Sequence, residues 1–119
     1  MEDGKGADLR ERAFEFACRV LSVHRYLWKR DPSLRDTSRQ ASSAAGSIGA
    51  NLEEADAAQS RADFISKCSI ALKEARESRY WLRVLAEFTE SRRLQPLIAE
   101  ATELIAILTT IVRKSRERP

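Results

Sequence analysis

The chain has 119 residues, 43% hydrophobic and 33% charged, enough apolar material for a core and too much for a disordered chain, and at this length one domain rather than two independent cores is expected. Lys and Arg outnumber Asp and Glu by 21 to 18, and an excess of +3 is too mild by itself to define a nucleic-acid binder. Four Gly and three Pro leave few turns, which argues against a many-stranded sheet and for an all-α protein.

From Leu9 the apolar residues Leu9, Ala13, Phe16, Val20, Val23 and Leu27 step 4-3-4-3-4, one face of a first helix over about 8–30. Phe14, Ala17, Leu21, His24 and Trp28 form a second stripe, so the apolar sector is wider than one core needs and predicts two contact surfaces. Asp31-Pro32 ends the helix, because proline lacks the backbone donor and restricts its predecessor. Ser33-Leu34-Arg35-Asp36 reads as a capping box opening a second helix over about 34–58. Its inner face is Leu34, Ala41, Ala45, Ile48, Leu52 and Ala55, with Gly46 and Gly49 in the middle. Helical glycine costs about 1 kcal/mol relative to alanine, a cost that predicts close approach of another backbone at this point; the alternative is a flexible Gly/Ser linker.

Ser60-Arg61-Ala62-Asp63 repeats the capping pattern and opens a helix over about 61–90, whose seam is Phe64, Cys68, Ala71, Ala75, Ser78, Leu82 and Leu85. Arg92-Arg93 and Gln95-Pro96 mark the last break. Leu97, Ala101, Leu104, Leu108 and Ile111, flanked by Ile98, Ile105 and Val112, make a fourth helix over about 94–115. Glu100 and Glu103 lie early in it and Arg113, Lys114 and Arg116 late, as the helix dipole favours. Four amphipathic helices on short connections predict a single domain, 1–119, folded as an antiparallel up-down-up-down four-helix bundle. The polar segment Met1 to Gly6 has no apolar signal core, and no apolar run approaches the roughly 20 residues that span a bilayer. A cytoplasmic protein without membrane contact is expected, its Cys18 and Cys68 being small core residues in a reducing compartment.

Strings in the middle of the chain carry a resemblance. Ser47-Ile48-Gly49-Ala50-Asn51, Glu53-Glu54-Ala55, Ala58-Gln59-Ser60, Asp63-Phe64-Ile65, Ile70-Ala71-Leu72-Lys73-Glu74-Ala75-Arg76-Glu77 and Tyr80-Trp81-Leu82 resemble the bacterial 23S rRNA intervening-sequence proteins, most densely from about Arg39 to Leu85. The resemblance implies a small cytoplasmic bundle that assembles into a homopentameric ring. A related group, the accessory variability protein of diversity-generating retroelements, is a basic pentamer working with nucleic acid, which extends the implication to an RNA or DNA partner. The family pattern Asn-Ile-Ala-Glu-Gly is replaced here by Asn51-Leu52-Glu53-Glu54-Ala55, and its common Gly-Ser by Lys73-Glu74.

A di-iron site needs Glu-x-x-His on two helices, and the single histidine, His24, has no Glu three residues before it. It reads as a packed, singly hydrogen-bonded imidazole. Neither a nucleophile with its base nor a phosphate-binding Gly-Lys-Ser/Thr loop is present, so a non-enzymatic protein with no metal or cofactor is expected. Glu74 and Glu77, with Lys67 one heptad earlier and Asn51 or Glu54 from the second helix, are a candidate hydrogen-bonded polar layer fixing register; the alternative is that these groups reach solvent or a subunit seam. Arg76, Arg79 and Arg83 beside Tyr80, and Arg113, Lys114 and Arg116 near the end, are candidate phosphate contacts with Tyr80 as a stacking platform. The alternative is a solvated face. Ile65, Leu72, Trp81, Val84 and Phe88 lie outside the third helix's seam, and such uncovered apolar surface predicts self-association. The expected function is an oligomeric scaffold binding RNA or DNA, its rival an oligomeric adaptor for another protein.

Overall fold

Helix boundaries follow the capping and breaking chemistry of the chain. The computed structural model describes residues 3–118, with Met1, Glu2 and Pro119 of the expected span outside the described residues. Helix α1 spans Asp3–Arg30, α2 Arg35–Asp56, α3 Arg61–Phe88 and α4 Leu94–Glu117. The first begins earlier than its apolar pattern, since Gly4 and Gly6 tax a helix without forbidding it. Pro32–Leu34 forms one 3-10 turn between α1 and α2.

The capping box expected at Ser33 and Asp36 is not formed. Asp31 takes its place: its carboxylate accepts from the Ser33 amide at 3.2 Å and from the Ser33 hydroxyl, which removes Ser33 as a cap. Leu34 then precedes α2 with no side-chain cap bond, and Asp36 pairs with Arg39 instead. At α3 the expectation holds, with Ser60 Oγ accepting from the Asp63 amide at 3.1 Å.

All six residues of the first stripe of α1 and all six of the inner face of α2 are buried. So is the α3 seam from Cys68 to Leu85, while Phe64 packs half-buried at its edge. In α4 the buried row runs Leu94, Leu97, Ala101, Leu104, Leu108 and Val112. Val112 replaces the expected Ile111, which is half-buried, because a helix of 3.6 residues per turn drifts away from a strict heptad. Gly49 meets α1 closely: a Cβ there would lie 3.6 Å from Ala13 Cβ and 3.8 Å from the Ala13 carbonyl carbon. Gly46 departs from the expectation, with nothing within 4 Å of the corresponding point, because it lies on the outer side of α2.

Cross-helix contacts give the directions. Arg10 meets Asp56 and His24 meets Ser38, so α1 and α2 run antiparallel; Arg79 meets Thr102 and Arg116 meets Ser69, so α3 and α4 do too. Each helix packs most closely on its chain neighbour, and α1 and α4 approach one another less closely. The bundle measures 51 × 22 × 20 Å with a radius of gyration of 14.9 Å, above the about 13.5 Å of a rounder domain of this length.

The expectation about apolar runs needs one amendment. Helix α4 is long and apolar enough to cross a membrane by composition, with a mean hydropathy of 1.4 over 18 residues. Its apolar residues fall on more than one face: an inner row is buried, while Ile98, Ile105 and Ile107 pack half-buried at the edges of the core. Its carboxylates Glu100 and Glu103 bind Arg12 of α1, so α4 is built into the bundle.

Candidate functional site

The arginines singled out on α3 share one face, at i, i+3 and i+7, with Tyr80 between them. Arg76 and Arg83 are exposed and Tyr80 is 56% exposed. Arg79 is half-buried, its Nη1 donating to Thr102 Oγ1 at 3.4 Å. Tyr80 meets Trp81 edge-on, ring centroids 5.1 Å apart, and the Trp81 indole N–H donates to Glu77 at 3.4 Å. Among the described residues, none of Arg76, Arg79 and Arg83 forms a salt bridge with a carboxylate, whereas Arg10, Arg12, Arg39 and Lys67 all do.

Arg113, Lys114 and Arg116 lie elsewhere. Arg116 reaches Ser69 near the start of α3, and Lys114 lines a solvent-open cleft of about 840 Å³ with Arg61, Phe64 and Arg118. In the antiparallel register set by the Arg79–Thr102 and Arg116–Ser69 contacts, at about 1.5 Å per residue, the centres of the two clusters lie about 13 to 19 Å apart along the bundle. The sequence-predicted set is therefore two surfaces, not one.

The candidate polar layer is also divided. Lys67 Nζ lies 3.9 Å from Glu54 and 4.0 Å from Asp63, joining α2 to α3 as expected. Asn51, however, donates to the Ser47 carbonyl of its own helix at 2.8 Å, and Glu77 is taken by Trp81. Among the described residues Glu74 joins no bridge; burial first, and then the neighbouring Glu77 charge, push its carboxyl above the usual range, against a smaller opposing pull from Lys73. The physical reason is reach: on α3 these carboxylates lie about two and three turns beyond Lys67, so a single cation closes only the first link.

Several functional-looking contacts escaped the sequence reading because they join residues far apart in the chain. Arg12 donates to both carboxylate oxygens of Glu100, at 3.1 and 2.7 Å, and to Glu103 at 3.4 Å. The hydrogen bond to Glu100 is the main cause that holds the Arg12 guanidinium above its ordinary value. Arg30 lies 4.2 Å and Arg93 5.4 Å from the Tyr26 ring centroid, and Arg35 lies 4.4 Å from that of Trp28. The spacing of Tyr26 and Arg30 on α1 could have signalled the first of these; the others depend on tertiary structure.

His24 Nδ1 lies 2.5 Å from Ser38 Oγ. Desolvation, then the Arg39 charge, lowers the imidazole below its ordinary value. A Ser–His pair suggests a nucleophile and its base, yet Ser38 is only 1% exposed and its hydroxyl donates to the Arg35 carbonyl at 3.3 Å. A substrate has no approach to it. Among the described residues no group of three or more His, Cys, Asp or Glu is placed to hold a metal ion.

Uncovered aromatic and aliphatic groups are the other conspicuous surface feature. Phe14, Leu21 and Trp28 follow one another at seven-residue spacing along the outside of α1, Phe14 being 62% exposed, and Phe88 at the end of α3 is 70% exposed.

Fold and surface together define an antiparallel four-helix bundle whose chemistry lies on its outside, in arginines and uncovered aromatics. The chain belongs to the 23S rRNA-intervening sequence protein family, whose model matches residues 5–110. A solved structure from Bacteroides thetaiotaomicron, a protein of unknown function from the S23 ribosomal protein family, is similar at 37% identity with a TM-score of 0.79. The match covers 87% of this chain and 97% of that one. Comparison with curated proteins gives no match.

Proposed function

We propose that this protein is a non-enzymatic cytoplasmic scaffold that self-associates, into a ring of five as the family resemblance implies, and binds RNA or DNA through basic surfaces repeated around the assembly. The observation that carries this reading is the α3 face: exposed Arg76 and Arg83 without carboxylate partners among the described residues, flanking exposed Tyr80. Guanidinium groups free of internal ion pairs exchange condensed counterions for phosphate contacts, and an accessible phenol ring supports base stacking. Five copies turn +3 per chain into about +15, and individually weak contacts then act together. Self-association is supported by the Phe14, Leu21 and Trp28 stripe, too much apolar surface on one line for a chain that stays alone.

Light scattering on the purified protein and titration of a labelled structured RNA at about 50 and about 200 mM salt test the proposal. An oligomer that binds RNA in a salt-dependent way, weakened by Arg76→Gln, Arg79→Gln and Arg83→Gln together, is the expected result. A stable monomer refutes the assembly. An intact oligomer that retains no RNA at low salt refutes the nucleic-acid role and leaves the adaptor reading, with the aromatic stripe as its docking surface.

A further inference from the structure

Among the described residues, a further group of unpaired positive charge lies outside both predicted clusters, where the end of α1 meets the α3–α4 connection. Ser22, Arg25, Tyr26, Lys29 and Arg30 occupy i, i+3, i+4, i+7 and i+8, one face of α1. Arg93 reaches that face from the connection between α3 and α4, its Nη1 donating to Ser22 Oγ at 3.3 Å and its guanidinium lying 5.4 Å from the Tyr26 ring. Arg30 is at 4.2 Å from the same ring. On the other flank of α1, facing α2, Arg35 lies 4.4 Å from the Trp28 ring and donates through Nε to the Trp28 carbonyl at 2.6 Å. Among the described residues, Arg25, Lys29, Arg30, Arg35 and Arg93 form no salt bridge with any carboxylate. Of the acids nearby in sequence, Asp36 is paired with Arg39, Asp31 accepts from Ser33 and keeps its charge, and exposed Glu90 makes no salt bridge among the described residues.

A guanidinium resting on an aromatic face is held in place before any ligand arrives, and it keeps N–H edges free to grip an oxyanion in pairs. Restricting the arginines in advance reduces the entropy lost on binding. Two such arginines, from α1 and the α3–α4 connection, converge on Tyr26 beside Arg25 and Lys29, and the ring that holds them lends its face to arginine rather than to a base or a lipid chain. We infer that this pole of the bundle is a phosphodiester-binding surface, on which Arg30 and Arg93, with Arg25 and Lys29 beside them, take backbone phosphates of a nucleic acid without reading its sequence. The inference rests on the nucleic-acid reading above and adds a second contact surface to it. Membrane binding is the less favoured chemistry, because interfacial insertion needs free aromatic and aliphatic side chains.

The test compares the full chain with two double variants, Arg30→Gln with Arg93→Gln at the pole and Arg76→Gln with Arg83→Gln on α3, using a short fluorescent single-stranded RNA between about 50 and about 200 mM salt. Thermal melting verifies that each variant is folded. The pole variant is expected to bind roughly tenfold more weakly at the lower salt, and to lose about 1.4 from the slope of log affinity against log salt, the share of two single-strand phosphate contacts. Arg30→Lys with Arg93→Lys retains charge without the planar fork and is expected to fall between the two. If the chain binds RNA and the folded pole variant matches it in affinity and slope, the pole is not the site, while the nucleic-acid reading stands. If the unaltered chain fails to bind at about 50 mM salt, that reading falls and this inference with it. Arginine-dependent binding to phosphatidylserine vesicles with no binding to RNA overturns the phosphodiester assignment in favour of a membrane.

Discussion

Gly49→Ala should make the protein more stable, although the glycine sits at the closest approach of α1 and α2. In a helix interior alanine is favoured over glycine by about 1 kcal/mol, mostly through backbone entropy. The added methyl would stand 3.6 Å from Ala13 Cβ, 3.8 Å from the Ala13 carbonyl carbon and 3.9 Å from the Phe14 nitrogen, all ordinary van der Waals distances, so no repulsion offsets the gain. For 119 residues the unfolding entropy is about 0.25 kcal/mol/K. The expected rise in Tm is therefore about 4 °C, read by circular dichroism at fixed protein concentration. Gly49→Leu is the opposing control: its larger side chain must push α1 away and should cost about 1 to 3 kcal/mol. Gly46→Ala, in open space on its own protomer, should gain as much as Gly49→Ala. A fall in Tm for Gly49→Ala would refute the reasoning, since it would mean that α1 sits closer than an ordinary contact. A fall confined to Gly46→Ala would reveal a second chain seated there.

Glu74→Gln should stabilise the protein at neutral pH by up to about 1 kcal/mol, by removing a partly desolvated charge that faces Glu77. The sign follows from a folded-state value raised above the ordinary 4.5: below that pH the acid is protonated in folded and unfolded chains alike, and the penalty develops as pH rises through the folded value. Melting curves of variant and parent should thus converge in acid and separate above it; a constant difference would show that charge is not the cause. Arg12→Met should loosen the α1–α4 seam, where Arg12 bonds Glu100 and Glu103, and hydrogen exchange should increase in α1 before the other helices; unchanged α1 protection would contradict this. Of the two free thiols, Cys18 is exposed on the outside of α1 rather than in the core as its helical pattern predicts, and it should react quickly with an aromatic disulfide. Cys68, buried with its thiol pushed up to about 11 by desolvation, should react only on unfolding. Two fast thiols would contradict the packing of the α3 seam.

Most of the fold was legible because it rests on periodicity, a local signal. The 4-3 spacing from Leu9 to Leu27 named the buried stripe of α1, and Pro32 located its end. Local patterns failed where two side chains competed for one partner: Asp31 outcompetes the Ser33 capping box, and Arg12 draws Glu100 and Glu103 across to α1. The site was less legible. Arg76, Tyr80 and Arg83 share a face that spacing alone reveals, whereas the convergence of Arg93 with Ser22 and Tyr26 spans about 70 residues of chain. Pairings at that separation depend on how the helices are stacked, and no local motif encodes them.

The neighbour-on-neighbour packing of these helices also governs how the chain reaches its fold. Contacts concentrated in adjacent helical hairpins make for low contact order, and helical chains of this kind fold in microseconds to milliseconds. The α2–α3 hairpin, the most extensive interface, is the natural nucleus, and α1 and α4 dock onto it from opposite ends of the chain. Closing the sparse seam between those two outer helices adds little to the folding barrier, so substitutions there should accelerate unfolding while leaving the refolding rate almost untouched.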